Sequence, residues 1–138
     1  MSLFKIFDIA GSGMSAQSVR LNTTASNLAN ANSVSTTEEG AYRSRQALFQ
    51  SALDQADRGN GAAVGVRVLG VIESNAAPQR LYEPGNPLAD EQGYVYKSNV
   101  NIAEEMANMI SASRSFQNNI EVLNTSKDLM LRTLQMGR

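Results

Sequence analysis

The stretch NVNIAEEMANMISASRSFQNNIEVLNTSKDLMLRTLQMG, from Asn99 to Gly137, decides how the chain is read. Within it Ile102, Met109, Phe116, Leu123 and Met130 recur at every seventh residue. Met106, Ser113, Ile120, Lys127 and Leu134, four places further on, form a second and partly polar row. Paired rows on a seven-residue repeat are the seam of a coiled coil. Asn101 followed by Glu104 has the form of an N-cap pair, and Glu104 and Glu105 put negative charge in the first turn. Neither Pro nor Gly interrupts the run before Gly137. One long helix is predicted. About 36 residues at 1.5 Å each span roughly 54 Å. A compact chain of this length has a radius of gyration of roughly 14 Å and is only about 37 Å across. Such a helix projects beyond the globule, so its seam needs a partner: another helix of the chain, a second molecule, or both.

A matching stretch opens the chain. Leu3, Phe7, Ala10, Met14, Gln17, Leu21, Thr24 and Leu28 alternate spacings of four and three, which predicts a second helix from Leu3 to Asn30. Gln17 and Thr24 weaken its row, and Gly11 and Gly13 each cost about 1 kcal/mol relative to Ala. A bend or break is expected near Gly11-Ser12-Gly13. The first turns, Leu3 to Ile9, read as an apolar face docked on protein; one Lys and one Asp make a poor polar face for lipid.

Between the helices the pattern changes. Asn30 to Gly40 is a polar loop, Tyr42 to Phe49 reads as a strand, and Ala62 to Ile72 as a better one, with Val64, Val66 and Val68 on one face. Asp54 to Gly61 has the residues of a hairpin turn, Glu83-Pro84-Gly85-Asn86 those of a type II turn, and Asp90-Glu91-Gln92-Gly93 those of another turn. Tyr94 to Lys97 is a last short strand. The expected fold is mainly α with a small β insert. Residues 1–32 and 99–138 would pair as an antiparallel coiled coil, with a β-hairpin-rich segment, 33–98, between them.

Composition narrows the function. Leu, Ile, Val and Phe total 31 of 138 residues, near the level at which cores become hard to build, while Asn and Ser supply 28. That balance suits a subunit whose order depends on neighbours. A net charge of −1 without a Lys/Arg cluster argues against nucleic acid and against an anionic membrane surface. The chain has neither Cys nor His, so disulfides, thiolate metal sites and the commonest general base are all excluded. No apolar run reaches the 18 or so residues needed to span a bilayer, and Asp8 breaks the opening apolar run before a signal-peptide core forms. Export, if it occurs, is expected without cleavage. No cofactor, metal or small-molecule substrate is expected.

Specific motifs add a resemblance. Arg20-Leu21-Asn22 and Ala25-Ser26-Asn27-Leu28-Ala29-Asn30, then Gly40-Ala41-Tyr42-Arg43, closely resemble the N-terminal signature of bacterial flagellar axial proteins. Asn99 to Ile102, Glu104-Glu105-Met106, Met109-Ile110, Ser113-Arg114 and Phe116 narrow the likeness to the proximal-rod proteins of the basal body. So do Tyr82-Glu83-Pro84, Pro87-Leu88-Ala89-Asp90 and Gly93-Tyr94-Val95. The likeness covers both helices and the turn-rich half of the insert. Ser98 departs from it, standing where members often carry proline, and Ser33 to Glu39 is less typical. The resemblance implies a structural subunit of the periplasmic rod, polymerising with its own copies and other rod proteins to transmit torque to the hook. It also implies export through the flagellar type III apparatus.

The residues expected to form the helix seam and the assembly interface are Leu3, Phe7, Met14, Leu21, Asn27, Leu28 and Asn30 on the first helix. On the second they are Ile102, Met106, Met109, Phe116, Ile120, Leu123, Met130 and Leu134. An enzyme is the rival class, but Glu104/Glu105 sit where a helix start favours anions and Asp90/Glu91 sit in a turn. A soluble coiled-coil adaptor, or another axial rod subunit, is the alternative reading.

Overall fold

The fold was obtained as a computed structural model, which describes residues 3–52 and 64–137. Helix α2 spans Ile102–Met136, 35 residues. Asn101 caps it from an extended backbone, its Oδ1 accepting hydrogen bonds from the amides of Ala103 (3.1 Å) and Glu104 (3.4 Å). Helix α1 spans Leu3–Ala29 without interruption. No break falls at Gly11-Ser12-Gly13. Gly13 instead marks a close approach to α2: a Cβ there would lie 2.9 Å from Asn119 Nδ2.

The partners between the helices fall along α2 as they rise along α1. Gly13 meets Asn119, Arg20 donates to Asn108 and Asn27 donates to Glu105. The two helices therefore lie antiparallel. Five strands fill the middle: β1 (Val34–Ser35), β2 (Arg45–Ala52), β3 (Gly65–Glu73), β4 (Gln79–Tyr82) and β5 (Tyr94–Lys97). Strands β2 and β3 pair antiparallel, Arg45 opposite Glu73 and Ala52 opposite Gly65, with a bulge at Leu48/Phe49. The second sheet has the order β1-β5-β4, also antiparallel, pairing Val34 with Lys97 and Tyr82 with Tyr94.

This corrects the expected fold class. The chain is not a mainly α coiled coil with a small β insert: the two helices make up only half of the described residues, and two antiparallel sheets stand between them. The seven-residue apolar rows are also not the buried rows. Ile102 is 41% exposed, Met106 54% and Leu134 66%, whereas the buried residues of α2 are Glu105, Ala112 and Ser126. Those three lie one place N-terminal of the second row. Small side chains let the helices approach closely, and large ones at the same places would hold them apart.

Among the turns, Asp90–Gly93 forms as expected. The Gly93 amide donates to Asp90 O at 2.9 Å, and Asp90 Oδ1 accepts from the amides of Gln92 and Tyr94. Gly93 is required there, since its φ is +81° and a Cβ would press on Pro84 and the Tyr82 ring. Glu83–Asn86 closes with an amide-to-carbonyl bond of 3.0 Å but is not type II, because Gly85 does not have positive φ. Strand β5 falls where it was expected. The strand expected from Tyr42 begins only at Arg45, and β1 and β4 were not foreseen. The expected hairpin turn at Asp54 to Gly61, and Ala62 at the start of the second predicted strand, lie outside the described residues.

The core is small and partly polar: Ala10, Ala16, Ala31, Val95 and Ala112 with Thr24, Asn27, Ser98 and Glu105. Ser98 shows what its departure from proline does. Its amide donates to Ser33 O at 3.2 Å, tying the chain before α2 to the residue before β1. A proline has no amide hydrogen to give.

Candidate assembly interface

Asn27 organises the end of the molecule where the chain turns from α1 into the sheets. Its Nδ2 donates to Arg45 O at 2.8 Å and to Glu105 Oε2 at 3.1 Å. Its Oδ1 accepts from the Arg45 amide at 2.9 Å and from Tyr42 Oη at 3.0 Å. Both donors and both lone pairs of the amide are thus engaged, in a side chain with 0% exposure. One residue ties α1 to β2, to Tyr42 and to α2. Such fully satisfied buried polar groups fix one arrangement, because breaking any arm strands a buried donor or acceptor.

Its neighbours extend the tie. Asn30 closes the helix end, Nδ2 donating to Ser26 O at 2.8 Å, and Ser33 Oγ donates back to Asn30 O. Asn99 accepts from the Ser44 amide and donates to Ala76 O, both at 2.7 Å. Arg45 lies over the Tyr42 ring and pairs with Glu73 at 2.9 Å; both are exposed, so that pair contributes little. At the far end of α1, Ser12 Oγ accepts from the Val66 amide at 3.0 Å and donates to Ile9 O. The β2–β3 hairpin is therefore fastened to α1 at two places.

Of the residues expected at the interface, Asn27 is buried and Asn30 half-buried. Phe7, Met14, Leu21, Leu28, Met109, Phe116, Leu123 and Met130 are half-buried, and Ile102, Met106, Ile120 and Leu134 are exposed. Nothing is described of the Leu3 side chain. Other large apolar side chains share the exposed surface: Ile110, Leu129 and Leu131 on α2, and Leu48, Leu69 and Ile72 on the hairpin. The fully buried positions hold mostly alanine, valine and polar side chains, while the large leucine, isoleucine and methionine side chains are half-buried or exposed.

Sequence reading missed Glu105 as a tie residue, because a glutamate in the first turn of a helix already has a reason to be there. It also missed Tyr42 as the partner of Asn27. A cavity of about 360 Å³ lies between α1, β2 and the start of α2, with Glu105 in its wall. Among the described residues no cluster of His, Cys, Asp or Glu could hold a metal, and no helix is long and apolar enough to cross a membrane.

Two antiparallel end helices in direct contact, strands fastened to α1 and many exposed apolar side chains are the features of a structural subunit that assembles with others. Comparison with known proteins gives the family. Residues 7–35 match the family model described as flagella basal body rod protein, and residues 91–136 the one described as flagellar basal body rod FlgEFG protein C-terminal. The chain is 55% identical to the flagellar basal-body rod protein FlgC of Salmonella typhimurium, over all of both chains. It is 54% identical to that of Escherichia coli O157:H7 and 52% to that of Yersinia enterocolitica, again over the full length of each. The chain belongs to the FlgC family of flagellar basal-body rod proteins. It is a structural component of the rod and not an enzyme.

Proposed function

We propose that this subunit polymerises with its own copies and with other rod proteins into the proximal rod, the shaft that carries torque from motor to hook. We propose also that it reaches the periplasm through the flagellar type III export apparatus, without cleavage. One observation supports the assembly reading above others: α2 leaves Ile102, Met106, Ile110, Ile120, Leu131 and Leu134 exposed in the single subunit. Each such side chain gains about 1.5–3 kcal/mol when fully buried, so a neighbour covering several of them supplies the energy of assembly. The exposed and half-buried interface residues named from sequence on α1 and α2 belong to this proposal, whereas Asn27, wholly buried, serves within the subunit. Contacts inside the subunit are mostly polar and small, which keeps the free chain marginally stable and suits passage in an unfolded state.

The test is fractionation of a strain carrying Phe116→Asp against one carrying Arg114→Ala, with blots of secreted and basal-body-bound protein. Phe116 is half-buried on α2 and Arg114 is exposed. Secretion of both with basal-body incorporation of Arg114→Ala alone is the expected outcome. Equal incorporation of the two contradicts the proposal for this helix, and failure to secrete Arg114→Ala contradicts the export route.

A further inference from the structure

We propose that Gln17 is a weak point built into the contact between α1 and α2, one that lowers the stability of the free subunit and so leaves it open to capture for export. This rests on the export route proposed above. Among the described residues, Gln17 Oε1 is the one side-chain nitrogen or oxygen buried from solvent without a hydrogen-bond partner.

Gln17 stands in the row of α1 that turns toward α2. Ala10, Gly13, Gln17, Arg20, Thr24 and Asn27 alternate spacings of three and four and so share one helix face. Gly13 lies against Asn119, Arg20 Nη2 donates to Asn108 Oδ1 at 2.9 Å, and Asn27 Nδ2 donates to Glu105 Oε2 at 3.1 Å. Gln17 falls between the first two of these contacts and makes no such bond. Asn27 and Gln17 carry the same amide group in the same row, with opposite outcomes. Every arm of Asn27 is engaged, whereas the Gln17 carbonyl has given up water and gained no donor in return. A buried acceptor left in that state lowers stability, while an apolar group of the same shape in its place would not.

The loss falls where it is useful. When a chain opens and closes faster than it is captured, capture follows the population of the open form. A subunit whose folding constant is lowered at Gln17 therefore offers more open chain for export. Neighbours that bind only the folded form restore the balance by mass action once the subunit has docked.

The test compares Gln17→Met with the wild type, using full-length protein. Methionine keeps the length and the helix propensity of glutamine, and its thioether needs no hydrogen bond. Gln117→Met makes the same exchange at an exposed position of α2 and is the control. Gln17→Met is expected to raise the folding constant about tenfold, equivalent to about 1.4 kcal/mol, seen as a higher urea midpoint at unchanged slope. Gln117→Met leaves the midpoint in place. In cells the secreted amount of Gln17→Met falls several-fold. Adding Tyr42→Phe, which removes the bond from Tyr42 Oη to Asn27 Oδ1, brings secretion back. An unchanged or lower midpoint for Gln17→Met overturns the proposal, as when Asn119 turns to donate to Gln17. A raised midpoint with wild-type secretion also overturns it, and so does low secretion that Tyr42→Phe fails to restore, since residue 17 would then act as a signal and not through stability. Wild-type secretion that persists in a strain without the export apparatus overturns the export route itself, whatever the midpoints show.

Discussion

The two sides of α2 differ in kind. The side facing α1 carries Glu105, Ala112, Asn119 and Ser126; the side beyond it carries Ile102, Met106, Ile110 and Leu131. The fully buried positions of the inner side are small or polar and closely fitted, and Met109, Phe116, Leu123 and Met130 are half-buried on the same helix. On the proposed assembly, the outer side holds the area whose burial would drive association. On that proposal the subunit separates what fixes its shape from what joins it to others. Changes on the inner side should act on the folding of one chain, and changes on the outer side on the assembly of many.

Asn27→Leu presses hardest on the inner side. Leucine approximates the volume but abandons Glu105 Oε2, the Tyr42 hydroxyl and both backbone groups of Arg45. Each stranded group costs about 1–3 kcal/mol, and loss of about 3–5 kcal/mol in urea unfolding is expected. A shift under about 1 kcal/mol would show that the tie at Asn27 is ornamental.

Ala112→Leu ranks next. Ala112 is wholly buried at the helix contact, so the added atoms force the helices apart. Overpacking of this kind costs about 1–3 kcal/mol, measured as a lower urea midpoint. An unchanged midpoint would mean that the closeness of α1 and α2 is not required.

Tyr42→Phe is milder. It removes one arm of the Asn27 tie, the 3.0 Å bond to Oδ1, and the hydroxyl contact with Ser26 Oγ. Destabilisation of about 0.5–1.5 kcal/mol is expected from equilibrium unfolding.

What the sequence disclosed follows the range of the forces involved. The α2 N-cap and the Asp90–Gly93 turn are set by bonds within a few residues, and each was legible. The ties of Asn27 reach 15 to 78 residues along the chain, to Tyr42, Arg45 and Glu105, and no local pattern announces them. The seven-residue rows correctly gave a long helix and misdirected the fold class. Periodicity shows where apolar side chains line up, not which molecule covers them. In this chain the lined-up residues are half-buried (Met109, Phe116, Leu123, Met130) or exposed (Ile102, Met106, Ile120, Leu134), and the fully buried positions lie one place away, at Glu105, Ala112 and Ser126. Strand β1 is two residues long, too short for any pattern, and β4, Gln-Arg-Leu-Tyr, has all four residues exposed.

The most direct measurement on the separation of the two sides uses the outer side alone. Met106→Asp and Ile110→Asp, combined in one chain, alter side chains that are 54% and 55% exposed in the subunit. Exposed changes of this kind typically move stability by no more than about 0.5 kcal/mol. Urea unfolding of the purified double variant and its secreted amount should therefore match the wild type, while protein recovered in purified basal bodies falls at least about tenfold. Wild-type levels of the double variant in basal bodies would contradict the account, because the outer side of α2 would then not be where neighbours bind.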